Sequence, residues 1–332
     1  MSPQLPQRKL GPFSVSAISL GCMNVSHAYG VPPSPEAAAA LLHRALDLGV
    51  TMFDTAALYG FGANEELVGR VLSPYRDKFI LASKCGMTGI DGKRVIDGRP
   101  ATIKRTCEEA LRRLNTDVID LYYLHRWDKQ IPIEESVGAL ADLVGAGKIK
   151  AIGLSEVSAL TLRRAHAVHP VAAVQSEYSL WTREVEIAVL DACQSLGVTL
   201  VAFSPVGRGF LAGLPLEASS LDAKDIRRTM PRFQGEHYVA NTHLLTSLKE
   251  IATGVSCTPA QLSLAWLLAK GDYIVPIPGT TRIDHLEQNT AACQVRLNTT
   301  TIARLDSLIN EKTVSGDRYS PAAQADVDTE EF

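Results

Sequence analysis

The sequence predicts an α/β protein, a (β/α)8 TIM barrel formed as a single domain across all 332 residues, with a long loop after the seventh strand. Two observations carry that prediction. First, a short apolar or β-branched run, a polar loop and a stretch of helical periodicity recur along the chain. The runs number eight: SVSAISLG, VTMFDTA, KFILASKCG, VIDLYYLHR, IKAIGLSE, VAAVQSEYS, VTLVAFSPV and YIVPIPGT. Strands alternating with helices form a parallel sheet, because a parallel neighbour needs a crossover long enough to hold a helix. Second, no G-x-G-x-x-G follows the first run, and the glycine-rich GRGFLAG at 207–213 arrives only after the seventh. That order counts against the rival, an open doubly wound sheet.

The elements follow in turn. Ser34 caps a first helix with Pro35 in its first turn; Leu41, Leu42, Ala45 and Leu48 share a face, and Gly49 ends it. Further helices are expected over 64–72, 102–114, 133–144, 159–168, 184–196, 258–270 and 284–293. The one at 258 has the strongest local signals: Thr258 and Gln261 spaced as a capping box, Pro259 in the first turn and Gly271 past the end. The stretch 207–238, rich in Gly, Arg and Pro, exceeds an ordinary barrel loop and is expected to cover a cofactor or shape a substrate site. The tail 315–332 is polar, acidic and without period, and is expected to be partly mobile.

Composition narrows the class. With 46% hydrophobic and 21% charged residues and a net charge of -3, there is material for a core and no basic excess to recruit nucleic acid or an acidic membrane. No secretory signal or apolar span is read, so the expected location is the cytoplasm. The six cysteines lie far apart without a Cys-x-x-Cys pair, and are expected to be reduced thiols packing as small hydrophobes. Oligomeric state is not readable.

In a barrel of this kind the chemistry sits where strands end at the C-terminal face. Asp54, Lys84 and His125 close three consecutive runs, and Tyr59 follows five residues after Asp54. Each alone has an ordinary explanation: a helix cap, a solvated strand end, a polar core residue, a loop aromatic. Together they form a proton-transfer site. A phenol of pKa about 10 is a poor acid at neutral pH, but an adjacent ammonium or imidazolium stabilises its phenolate. Lys84 would then tune Tyr59, with Asp54 as its buried counter-charge.

The ordered segments LGCM, FDTAALYG, ASKCG, DLYYLHR, KIKAIGLSE, QSEYSLW, FSPVGRG and IPGTTRIDHLEQN resemble the aldo-keto reductase superfamily over nearly the whole chain. The LHRWD and GLSEV variants are most similar to its branch of pyridoxal-reductase-like and YakC-like enzymes. The resemblance implies NADPH-dependent reduction of an aldehyde or ketone without a metal, with Asp54, Tyr59, Lys84 and His125 as catalytic tetrad and Tyr59 as the acid. Family members that reduce steroid double bonds carry glutamate in place of His125. The resemblance also assigns cofactor contacts. Gly21, Met23 and Asp54 contact the cofactor, Ser155 and Gln175 hold the carboxamide, and Phe203 stacks on the ring. Ser204, Val206 and Gly209 cover the pyrophosphate; Gly279, Thr280, Arg282, Gln288 and Asn289 grip the 2′-phosphate and adenine. Two departures are Glu156, where many members carry Asn, and His285, where other branches place an arginine that Arg282 would replace.

Two other functions fit parts of the pattern: a lyase holding substrate as a Schiff base on Lys84, and a non-catalytic NADPH-sensing subunit. The substrate, whether pyridoxal-like, sugar-derived or xenobiotic, is not read from the sequence. Its determinants are expected in the loops 23–29 and 87–97, at Trp127 and in 207–238, with Tyr29 and Trp127 as either aromatic walls or plain packing.

Overall fold

The computed structural model describes residues 5–26, 28–90, 92–213 and 217–332. His27, Asp91 and 214–216, which fall inside three of the loops just named, lie outside the described residues. A short antiparallel hairpin, β1 (Gln7–Leu10) and β2 (Phe13–Ser16), precedes the barrel strands β3 (Leu20–Gly21), β4 (Met52–Asp54) and β5 (Ile80–Cys85). A second hairpin, β6 (Met87–Ile90) and β7 (Lys93–Ile96), follows before β8 (Ile119–Leu124), β9 (Ile149–Ser155), β10 (Val171–Glu177), β11 (Thr199–Phe203) and β12 (Ile274–Pro276) complete the sheet. The eight barrel strands are hydrogen-bonded in the order β3-β4-β5-β8-β9-β10-β11-β12, parallel throughout. The Ser19 N–H donates to the Pro276 carbonyl at 3.1 Å across the remaining seam. The expected (β/α)8 architecture is met.

The first run divides where one strand was expected. Ser16 ends β2, and only Leu20 and Gly21 join the barrel. Between them Ser16 and Thr51 exchange hydrogen bonds, Ser16 N–H to Thr51 Oγ1 at 2.7 Å and Thr51 N–H to Ser16 Oγ at 3.1 Å. Side chains thereby satisfy backbone groups that a longer strand would have paired. The hairpin plugs the base of the barrel: Leu10 and Val15 pack with Met52, Ala82, Leu121 and Val201 in the interior. Side chains alternate along a strand, so Lys84, two residues beyond Ala82, also faces inward.

The helices α1 (Pro35–Asp47), α2 (Ala63–Leu72), α3 (Pro100–Leu114), α4 (Ile133–Gly145) and α5 (Ala159–Val168) lie within two residues of expectation. Ser34 caps α1 by accepting from the Ala37 N–H. The sixth, α6 (Val189–Leu196), starts later than expected, because Glu184–Glu186 forms a separate 3-10 turn. Two longer helices, besides a short one in the tail, were not expected: α7 (Gly235–Gly254), which takes in Tyr238 at the end of the long loop, and α10 (Thr299–Leu308). Between them α8 (Pro259–Lys270) has its capping box in place, and α9 (Ile283–Ala291) runs from Arg282. A short α11 (Pro321–Gln324) lies in the tail. No single helix among the described residues is long and apolar enough to cross a membrane.

The long loop is stitched down as 3-10 turns, with Trp181 stacked on Phe210 at 4.2 Å and meeting Phe233 edge-on. The tail runs across the barrel mouth. Asn241, fully buried on α7, accepts from the Ser315 N–H at 2.9 Å and donates to its carbonyl at 2.9 Å. Further on, Lys129 donates to the Ala325 and Val327 carbonyls, and Asp328 pairs with Val157 in an isolated bridge.

Packing inside the barrel yields a first prediction. Gly153 on β9 faces the fully buried Tyr123, and a methyl group there would lie 2.2 Å from the ring. Gly153→Ala is therefore expected to cost about 1–3 kcal/mol by overpacking, read as a lower urea midpoint at unchanged m-value. An unchanged midpoint would show that Tyr123 can move.

Candidate active site

The site is built on the inward alternation of the strand ends. Asp54 closes β4 and Lys84 lies near the end of β5, their side chains 2% and 0% exposed. The Lys84 ammonium pairs with Asp54 Oδ1 and donates to the Thr55 carbonyl at 2.8 Å and to the Tyr59 hydroxyl at 3.2 Å. All three ammonium protons are thus engaged. The other carboxylate oxygen of Asp54 accepts from Gln175 Nε2 at 2.8 Å.

Tyr59 is brought to Lys84 by a tight left-handed turn, with φ of +57° at Gly60, +54° at Phe61 and +100° at Gly62. Such values suit glycine and strain phenylalanine. Phe61 is nevertheless held, its ring over Gly89 of the β6–β7 hairpin. Asn64 fixes the turn from behind, accepting from Thr55 Oγ1 at 2.6 Å and donating to the Cys22 carbonyl at 2.8 Å. His125, just past β8, meets the Tyr59 ring edge-on at 5.8 Å. Its Nδ1 is buried without a partner among the described residues.

The electrostatics refine the sequence reading. Burial would lower the Lys84 pKa, but the charge of Asp54 and the hydrogen bonds to Asp54 and Tyr59 hold it above its ordinary value, so it remains an ammonium. Burial pushes the Tyr59 phenol above its ordinary value, and Lys84 draws it only part of the way back. Tyr59 is therefore a protonated donor at neutral pH. Burial, and then the charges of Arg126, Lys84 and Arg94, hold His125 well below its ordinary range. The imidazole is neutral, and the ammonium is the cation that stabilises a phenolate here.

These groups form one wall of a cavity of about 910 Å³. Tyr59, His125 and Asp54 line it; Lys84 lies behind them, fully buried. At the same end are Gly21, Met23, Ser155, Gln175 and Phe203. Ser204, Val206 and Gly209 follow along the loop after β11, where Ser204, Gly207, Arg208 and Gly209 all have positive φ. Gly279, Thr280, Arg282, Gln288 and Asn289 line the cavity after β12, with Gly279 against Gly21 and Asn24. There the backbone comes close: a Cβ at Gly279 would lie 2.3 Å from Asn24 Oδ1. Arg282 is exposed and forked onto Asp284, at 2.6 and 3.0 Å. The four residues of the expected tetrad and the expected cofactor contacts from Gly21 to Asn289 are thus at the cavity or directly behind it.

Glu156 is not at the cavity. Its carboxylate pairs with Arg318 of the tail and accepts from the Glu177 N–H at 2.9 Å. Glu177 in turn accepts from Arg208 at 2.6 Å and Arg318 at 3.1 Å. Trp127 donates to the Ile131 carbonyl at 2.8 Å and packs, whereas Tyr29 lines the cavity. The sequence reading also missed Arg94, Arg126, Arg227 and the tail residues Tyr319, Ser320 and Ala323, all at the cavity. Arg126 was visible beside His125 in LHRWD. The tail residues carried no signal, since nothing in an aperiodic segment says where it folds back.

Comparison with known proteins gives the family. Residues 17–310 match the aldo/keto reductase family. The chain belongs to that family. It is 45% identical over 326 residues to the aldo-keto reductase yakc [NADP(+)] of Schizosaccharomyces pombe, covering 96% of each chain. Among solved structures it is similar to a glycerol dehydrogenase of Gluconobacter oxydans, with a TM-score of 0.84 at 26% identity, covering 95% of this chain and 98% of that one. It is also similar to an aldo/keto reductase from Klebsiella pneumoniae in complex with NADP and acetate, with a TM-score of 0.73 at 28% identity, covering 95% and 99%.

The buried pair makes a paired prediction. Lys84→Met leaves Asp54 as a buried carboxylate without its cation, and breaking such a pair costs about 3–5 kcal/mol. Adding Asp54→Asn removes the stranded charge and should recover much of the unfolding midpoint while activity stays lost. No recovery in the double variant would show that the pair does not govern stability.

Proposed function

We propose that this aldo/keto reductase reduces an aldehyde or ketone to the alcohol with NADPH, Tyr59 acting as general acid. The observation that carries the reading is the Tyr59 hydroxyl, 3.2 Å from a fully buried ammonium and on the cavity wall beside a neutral His125. The cavity fits the coenzyme on its own features. Its volume is at the upper end for small-molecule and cofactor sites, and its lining joins the loop after β11, where Ser204, Arg208 and Gly209 have positive φ, to the N-terminus of α9. Ser155, Gln175 and Phe203 would hold the nicotinamide end; Ser204, Val206 and Gly209 would cover the pyrophosphate. Gly279, Thr280, Arg282, Gln288 and Asn289 would take the adenosine end, at the N-terminus of α9, whose backbone favours an anion. Gln175 gives one amide N–H to Asp54, and its carbonyl would accept from a carboxamide.

Bound there, NADPH supplies the hydride. The protein's part is the proton. A carbonyl oxygen seated against Tyr59 and His125 receives its hydrogen bond from the phenol, and as negative charge gathers on that oxygen the proton crosses from Tyr59 Oη. Lys84 then stabilises the phenolate left behind, at a stage when its charge is worth most because water is excluded. The relative named for NADP(+) and the Klebsiella structure in complex with NADP support the coenzyme.

The Schiff-base alternative meets a direct obstacle. A nucleophilic lysine must be accessible and neutral, and Lys84 is fully buried, triply hydrogen-bonded and held protonated.

Tyr59→Phe keeps the ring and removes the donor, so carbonyl reduction should fall by at least about 10²-fold while NADPH binding, followed by fluorescence, survives. Near-normal turnover with chemistry rate-limiting would assign the acid elsewhere. At the other end, a guanidinium–phosphate fork corresponds to a coenzyme preference of about tenfold or more. Arg282→Ala should therefore weaken NADPH by that factor, leave NADH nearly unchanged, and lose less at high salt. Equal weakening of both coenzymes would mean that Arg282, through Asp284, holds the loop instead.

A further inference from the structure

Among the described residues the cavity is lined by Arg94, Arg126, Arg208, Arg227 and Arg282 against a single carboxylate, Asp54, which Lys84 already neutralises. Four of these arginines are paired: Arg94 with Asp326, Arg208 with Glu177, Arg227 with Asp225 and Arg282 with Asp284. Arg126 is the exception. One of its nitrogens, Nη1, donates to the His125 carbonyl at 2.7 Å and to Ser155 Oγ at 3.3 Å, and no carboxylate among the described residues pairs with it. It is half-buried and directly follows His125 at the top of β8. After burial, its charge is the next cause of the low His125 pKa.

A guanidinium partly withdrawn from water, beside a neutral imidazole and without a counter-ion, is electrostatically incomplete. Its remaining donors match the two oxygens of a carboxylate. In the reading above the coenzyme's phosphates fall to Gly209 and Arg282, whereas Arg126 directly follows His125 beside the proton donor. We infer that Arg126 is a specificity-determining residue that binds a carboxylate carried by the carbonyl substrate, so the preferred substrates are oxo-acids. The inference rests on the carbonyl-reductase reading above and adds the substrate class to it. The ordinary alternative is that Arg126 only braces Ser155 and the strand end, in which case charged and neutral substrates suffer alike from its loss.

The test uses two pairs that differ in charge at different spacings: pyruvate with methyl pyruvate, and 4-carboxybenzaldehyde with methyl 4-formylbenzoate. For each, kcat/KM with NADPH is measured in the wild type, Arg126→Gln and Arg126→Lys. The acid-to-ester ratio in at least one pair is expected to be at least about tenfold higher in the wild type than in Arg126→Gln, mainly through KM, to shrink with added KCl, and to be partly kept by Arg126→Lys. A calorimetric arm needs no turnover: 4-(hydroxymethyl)benzoate is titrated into protein with and without NADP+. Arg126-dependent binding without turnover of any aldehyde would overturn the reductase reading and keep the carboxylate site. The same acid-to-ester ratio in wild type and Arg126→Gln for both pairs, or benzoate binding indifferent to Arg126→Gln, overturns the inference.

Discussion

The ion pair between Lys84 and Asp54 is the constraint on which the mouth of the barrel is arranged. An ammonium inside a barrel has no water to turn to, so each of its protons must find an oxygen, and the three it finds belong to Asp54, Thr55 and Tyr59. That single requirement ties the ends of two strands and the following turn into one unit. The left-handed turn at 60–62 and the buried Asn64 that braces it are intelligible as what must be true of the backbone for the Tyr59 hydroxyl to reach the third proton.

The same geometry sets the electrical character of the cavity. One cation sits behind the wall, matched by one anion, and the imidazole beside them is kept neutral by burial and by neighbouring positive charge. A phenol in that setting keeps its proton at neutral pH. Farther out, the paired arginines serve mainly to bind protein to protein. Arg208 and Arg318 draw Glu177 and Glu156 together, so the loop after β11 and the tail are fastened to adjacent strand ends by one buried charge cluster.

How much was legible in the sequence depended on whether a residue's role was local. The barrel could be read because each strand and each cap announces itself within a few residues, and Asp54, Lys84 and His125 stood out as ionisable groups ending apolar runs. The division of the first run turned on Ser16 and Thr51, 35 positions apart in the chain, which no periodicity records. Helix α7 did leave a stripe, with Tyr238, Leu245, Leu248 and Ile251 on one face, but the buried Asn241 interrupts it with a polar residue whose partner, Ser315, lies far downstream. Glu156 reads as a cofactor residue by position and proves to be a tether, because its partner Arg318 comes from a segment with no pattern to place it.

The start of helix α5 depends on similarly distant partners. Its first amides have their oxygens supplied from far along the chain: Asp328 accepts from the Ser158 N–H at 3.1 Å, and Glu330 from the Ala159 N–H at 2.8 Å, across sequence separations of 170 and 171 residues. Carboxylates there complement the helix dipole, yet they are absent from the nascent chain when α5 itself emerges from the ribosome. Contacts of such span close late. The rim of the cavity is therefore the part of this barrel that a growing polypeptide finishes well after its strands are made, and until then the charged groups around Glu156 and Glu177 wait in water for Arg318.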